Sequence, residues 1–184
     1  QRKYKQAEPL LQQALKANEQ SLGFEHRDTL MTVLNLARLY AEQRKDEQAE
    51  QLLQQALEAG ERVLSPGDLL IAHNLHLLAQ ISYDQGNYER AEQLWTRSLT
   101  ILEQTLGPEH PATAERLNDL AELSFAQGRY TQAKSLCQRA LSICEKTFGA
   151  EHPDTITYRE HLSRIEGKKK AEQVDGHQPA APLH

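Results

Sequence analysis

Residues 107–133 read GPEHPATAERLNDLAELSFAQGRYTQA, and this stretch decides the fold. In Gly107-Pro108-Glu109-His110-Pro111, the Gly can take the left-handed conformation that ends a helix, and the second Pro fits the first turn of the next. From Thr113 to Gln127, Leu117, Leu120, Ala121 and Ser124 fall at i, i+3, i+4 and i+7, which is one face of a helix. Gln127-Gly128-Arg129 then makes a tight turn, and Tyr130 with Ala133 opens a second helical pattern. The unit is a short helix, a turn and a long helix.

Working outward, the same unit recurs at a step of 42. Ala7, Ala49, Ala91 and Ala133 fall on that step, as do Leu15, Leu57, Leu99 and Leu141, and Glu19, Glu61, Glu103 and Glu145. Leu36, Leu78, Leu120 and Leu162 form a further set. Tyr4, Tyr88 and Tyr130 keep it too, with Asp46 in the remaining place. The second copy departs most, because Ser65-Pro66-Gly67-Asp68 replaces the Gly-x-Glu-His loop. A period held over four copies identifies a repeat architecture.

Composition agrees. Of 184 residues, 39% are hydrophobic, 26% charged and only 5% aromatic, with Leu, Ala, Gln and Glu prominent. Unbranched side chains lose little rotamer freedom on a helix, so the class is all-α. A net charge of −5 argues against a nucleic-acid surface, which needs a basic stripe to displace counterions. No apolar run approaches the roughly 20 residues that span a bilayer. Cys137 and Cys144 lie about 10 Å apart along one helix, too far for a disulfide. Two unpaired thiols fit a reducing compartment, so a cytoplasmic location is expected.

His152-Pro153-Asp154-Thr155, Leu117-Asn118-Asp119-Leu120-Ala121, and Gly128-Arg129-Tyr130 followed by Ala133 resemble the 42-residue tetratricopeptide repeats of kinesin light chains. The resemblance covers residues 4–166. It implies a tetratricopeptide-type α-solenoid, in which antiparallel hairpins stack into a right-handed superhelix with the short helices lining its concave side. The chain opens on an unpaired long helix over 4–22, so a fragment of a longer protein is expected. The last short helix, 153–166, carries Arg159, Ser163 and Glu166 where the first carries Val33, Ala37 and Tyr40. That polar face suits a helix with no following neighbour, and Ile156, Leu162 and Ile165 are expected to cover the last long helix. Residues 167–184 lack periodicity and read as a flexible tail.

Three Glu-His pairs, Glu25-His26, Glu109-His110 and Glu151-His152, raise metal ligation or acid–base chemistry. Their fixed offset in each repeat favours a loop-and-cap device, because successive copies stand too far apart to share an ion. His73 and His76, three apart on a short helix, could approach a metal with Glu115 and Asp119. Ordinary groove polarity is the preferred reading, and no metal or other cofactor is expected. No phosphate loop, nucleophile elbow or Cys-x-x-Cys motif is present, so no enzyme is expected.

A binding face follows from the geometry. Moving back two positions from the stripe Val33, Leu36, Ala37 and Tyr40 rotates about 200° around the helix. That selects Met31, Leu34, Asn35 and Arg38, then His73, His76, Leu77 and Gln80, then Glu115, Asn118, Asp119 and Glu122. Thr157, Glu160, His161 and Arg164 complete the set. By the resemblance these positions line a groove for extended peptides, and Asn35 matches an asparagine that bonds peptide backbone. The Lys, Arg and Asn clamp of chaperone-tail receptors is absent. Leu34, Leu77, Tyr83 and Phe125 read as apolar groups on this face, and the acids favour a basic or neutral partner segment. The function expected is therefore a protein-interaction scaffold. The alternatives are a sensor region of a multidomain enzyme or signalling NTPase, and a cargo adaptor.

Overall fold

The computed structural model describes residues 2–175, with side chains over 6–170. Those residues hold eight helices and no strand: α1 (Arg2–Leu22), α2 (Arg27–Glu42), α3 (Asp46–Val63), α4 (Leu69–Asp84), α5 (Tyr88–Thr105), α6 (Pro111–Ala126), α7 (Tyr130–Phe148) and α8 (Pro153–Asp175). The short helices α2, α4 and α6 begin and end 42 residues apart, as the spacing predicts. Two compact units result, Gln1–Gly107 with α1–α5 and Pro108–His184 with α6–α8. None of the described helices is long and apolar enough to cross a membrane.

The loop histidines start the short helices. His26 Nδ1 accepts the Asp28 N–H at 3.2 Å, His110 Nδ1 the Ala112 N–H at 3.1 Å, and His152 Nδ1 the Asp154 N–H at 3.3 Å. In the divergent second loop Asp68 Oδ1 does the same for the Leu70 N–H at 2.8 Å. Each satisfies a helix-end donor that has no intrahelical partner. The neighbouring glutamates tie the loops down, Glu25 to Arg62 and Glu109 to Lys146, both at 2.8 Å. All three histidines and two of the three glutamates thus have structural employment.

The turns from short to long helix are equally repetitive. The N–H groups of Lys45, Asn87 and Arg129 reach back to the carbonyls of Tyr40, Ser82 and Ser124 at 2.9, 2.8 and 2.8 Å. This six-residue closure needs a left-handed residue inside it. Gly86 and Gly128 supply it at φ 77° and 74°, and Arg44 supplies it at φ 62°. Tyr88 and Tyr130 then pack on Tyr83 and Phe125, each pair at 5.4 Å between ring centroids. In the first turn both partners are replaced together, by Ala41 and Asp46.

Small residues hold the hairpins close. Ala37, Ala79 and Ala121 on the short helices, and Ala49, Ala91 and Ala133 on the long ones, are all completely buried. In the first unit Leu30, Val33 and Leu34 of α2 share a core with Leu53 and Ala56 of α3 and Leu77, Leu78 and Ile81 of α4. In the second, Ala121, Ala133, Cys137 and Ile165 form a core flanked by Phe125, Leu136 and Leu162. Both cysteines are free and buried. Cys137 Sγ–H donates to the Tyr158 carbonyl at 3.3 Å, and burial pushes its thiol up to about 12.

The last helix differs from expectation in two respects. It runs on past residue 166 to Asp175, because Lys168, Lys169 and Lys170 are good helix formers and one Gly costs only about 1 kcal/mol. Residues 176–184 of the expected tail lie outside the described residues. Its buried side is made by Thr155, Tyr158 and Ile165, whereas Ile156 is 40% exposed and covers little. The polar face is in place: Arg159 pairs with Glu145 at 3.0 Å and Glu166 with Lys134 at 2.6 Å.

Candidate functional site

In the first unit the candidate residues sort into two groups. On α2, Met31, Asn35 and Arg38 are exposed, while Leu34 is buried at 3%. On α4, His73 and Gln80 are exposed, His76 is half-buried, and Leu77 is buried at 5%. Leu34 and Leu77 therefore belong to the core and offer no apolar surface to a partner, which corrects their reading as groove contacts. A short helix packs against long helices on two sides, so its buried arc is wider than one stripe. What stays open on α2 is the line Met31, Asn35, Arg38 and Glu42, at i, i+4, i+7 and i+11. Tyr83 and Phe125 are likewise half-buried against the turn tyrosines and are not free apolar contacts.

Trp95 on α5 gives α4 a feature that spacing does not reveal. Its indole Nε1–H donates to His76 Nδ1 at 3.1 Å, which leaves the ring proton on Nε2. His73 and His76 stand edge-on at 6.4 Å between centroids. Among the described residues no group of three or more His, Cys, Asp or Glu is arranged to hold a metal ion.

The second unit gathers Glu115, Asn118, Asp119 and Glu122 of α6 with His161 and Arg164 of α8. Sequence reading missed the hub, Arg116, which is buried at 4%. Its guanidinium reaches Glu115 Oε1 at 2.6 Å and Asp119 Oδ2 at 3.0 Å. Burial pushes the Asp119 carboxyl up to about 7, with Arg116 pulling it back and Glu115 and Glu122 raising it further. Burial also raises Glu115, helped by Asp154. His161 Nδ1 bonds Asn118 Oδ1 at 3.0 Å and lies 3.1 Å from Glu122 Oε1. Arg164 also bonds Glu122 and stacks on the Phe125 ring at 4.5 Å. The acidic stripe is thus partly answered by the unit's own cations. A signal for Arg116 was present: Thr32, Asn74, Arg116 and Tyr158, one step of 42 apart, form a column that is polar in every copy.

Family models described as tetratricopeptide repeat match residues 1–62 and 69–126, and a second such model matches 113–154. No curated protein matches the chain. Among solved structures, a kinesin-light-chain-like chain of Podosopora anserina with nearly identical TPR-like repeats is similar at 26% identity and a TM-score of 0.77. That match covers 92% of this chain and 80% of the other. BtubC (BKLC) from P. vanneervenii is similar at 19% identity and TM-score 0.80, over 99% and 78% of the two chains. The Yersinia enterocolitica type III secretion translocator chaperone SycD is similar at 19% identity and TM-score 0.61, over 79% and 88%.

Proposed function

The chain belongs to the tetratricopeptide repeat family and has its all-α solenoid fold, and from that premise we propose a protein-interaction scaffold in which the open lines of the short helices receive a peptide or partner domain. The observation that carries this reading is the line on α2. Asn35 and Arg38 are exposed, and neither side chain bonds elsewhere among the described residues. An amide offering both donor and acceptor suits an extended backbone, and a guanidinium suits a carbonyl or carboxylate beside it. Met31, at 41% exposure, adds an adaptable apolar contact.

The second unit contributes less attraction for a basic ligand than its acids alone imply. Glu115 and Asp119 share Arg116, and Glu122 is shared by His161 and Arg164. A largely uncharged segment is the better fit. The likeness to a kinesin-light-chain-like chain supports an adaptor role, in which the scaffold joins partners and does no chemistry.

The test is a displayed peptide library selected on the whole chain, followed by calorimetry of the best peptide. The double variant Asn35→Ala with Arg38→Ala should lose about thirty-fold in affinity, since two hydrogen bonds at about 1 kcal/mol each are removed. Helical content should not change, because both side chains are exposed. Selected peptides that bind the variant equally well would sink the assignment.

A further inference from the structure

The polar column through Thr32, Asn74, Arg116 and Tyr158 is served unevenly. Thr32 Oγ1 accepts from Asn18 Nδ2 of α1 at 3.0 Å, and Arg116 is met by its carboxylates. Asn74 of α4 is only 2% exposed, yet its Oδ1 accepts no hydrogen bond from the protein. Such an unserved acceptor is costly in an interior. The step of 42 that brings Asn18 to Thr32 brings Gly60 to Asn74. Asn18 supplies a donor, and Leu102 and Cys144 supply bulk at this slot in the later copies. Gly60 supplies neither.

A hollow of about 180 Å³ results inside the first unit, lined by Leu30 and Leu34 of α2, Gly60 and Leu64 at the end of α3, and Ile71 and Asn74 of α4. A Cβ built on Gly60 would stand 3.6 to 3.9 Å from Leu64, Leu30 and Ile71, which is ordinary contact, so there is room beside the glycine. No charged side chain lines the hollow, and as it stands it is too narrow for a water molecule to reach Asn74. One wall is less fixed than the rest. Leu64 is half-buried and extended, at φ −96° and ψ 159°, beyond the last turn of α3. It leads into Ser65-Pro66-Gly67-Asp68, the loop that departs from the repeat.

We propose that this hollow is a small-molecule site: the Leu64 side chain turns outward to admit a compact apolar molecule bearing one O–H or N–H group, and Asn74 Oδ1 accepts that hydrogen. The leucine and isoleucine walls cover the body of the guest while the single acceptor orients it, the usual division of labour in such sites. Pockets for drug-sized molecules run to about 300–1,000 Å³, so this one is limited to a single ring or a short chain. A charged guest is excluded, because nothing in the lining answers its charge. A guest of the same shape without a donor leaves Oδ1 as it was and binds more weakly. The site lies between packed helices, apart from the open line Met31, Asn35 and Arg38, and does not depend on the scaffold reading.

The test titrates phenol and toluene, which differ by O–H against a methyl group, into the full chain followed by NMR. Phenol should give saturable shifts at Gly60, Ile71 and Asn74 and bind about ten-fold more tightly than toluene, the ratio expected from one hydrogen bond to a buried acceptor. Asn74→Ala keeps the hollow and removes the acceptor, so the preference for phenol should vanish. Gly60→Leu gives α3 the residue that α5 carries at this slot, and should abolish binding of both probes. If either variant fails to fold, the wild-type ratio still decides. Phenol that causes no saturable shift, shifts confined to residues away from the hollow, or equal affinity of the wild type for the two probes would overturn the proposal.

Discussion

At the scale of single residues, the pair Arg116 and Asp119 sets a pH dependence of stability. Burial raises the Asp119 carboxyl to about 7, against about 3.9 in an unfolded chain. Between those values the folded state holds a proton that the unfolded state releases. The stabilisation is complete at low pH and is lost as pH rises through about 7. Asp119→Asn keeps the neutral form at every pH. Its Tm relative to wild type should therefore climb by several degrees from pH 5 to pH 8. Melting curves that keep a constant offset across that range would show that Arg116 compensates the charge fully. The column Thr32, Asn74, Arg116 and Tyr158 was legible as polar, but what each does was not. Burial of a guanidinium depends on which carboxylates meet it in three dimensions, and periodicity carries no such information.

At the scale of elements, the sequence was most readable where backbone geometry dictates residue type. Loop glycines, helix starts and the six-residue turn closures follow from local sterics and unpaired helix-end groups, so the 42-residue register located them. The open face of the short helices was read less well. Counting positions around one helix identified the outward line Met31, Asn35 and Arg38. It also swept in Leu34 and Leu77, which a second packed neighbour buries. Width of burial is set by how many helices touch, a property absent from any one helix. The turns themselves invite a paired test. Arg44 holds a left-handed conformation that costs a side-chain-bearing residue roughly 1–2 kcal/mol. Its ion pair with Asp84 joins two exposed groups and offsets little of that. Arg44→Gly should raise stability by up to about 1 kcal/mol, although the unfolded chain's added freedom subtracts part of the gain. Gly86→Ala should lower it by a similar amount, since nothing lies within 4 Å of the added Cβ and only backbone strain acts. Equal and opposite changes in urea midpoint would match; a loss from both substitutions would place the value of Arg44 in its ion pair.

At the scale of the whole molecule, stability is assembled from neighbour contacts rather than one central core. Removing residues 167–184 should leave Tm nearly unchanged, because Tyr158, Ile165 and the Glu166–Lys134 ion pair, which hold α8 to its unit, all lie before the cut. Removing 153–184 should lower it clearly, since Tyr158 and Ile165 leave and Cys137 and Ala133 lose their cover. Each large apolar side chain is worth about 1.5–3 kcal/mol when fully buried. Calorimetry of the two truncations side by side checks this, and equal melting would mean that α8 closes nothing. The two cysteines carry a consequence at the same scale. They are the chain's only thiols, both lie shut inside α7, and burial keeps the sulfur of Cys137 in its unreactive form. An alkylating reagent in solution therefore marks a molecule only when the second unit breathes and stays silent about the first, so the protein carries its own stopwatch for the opening of one half.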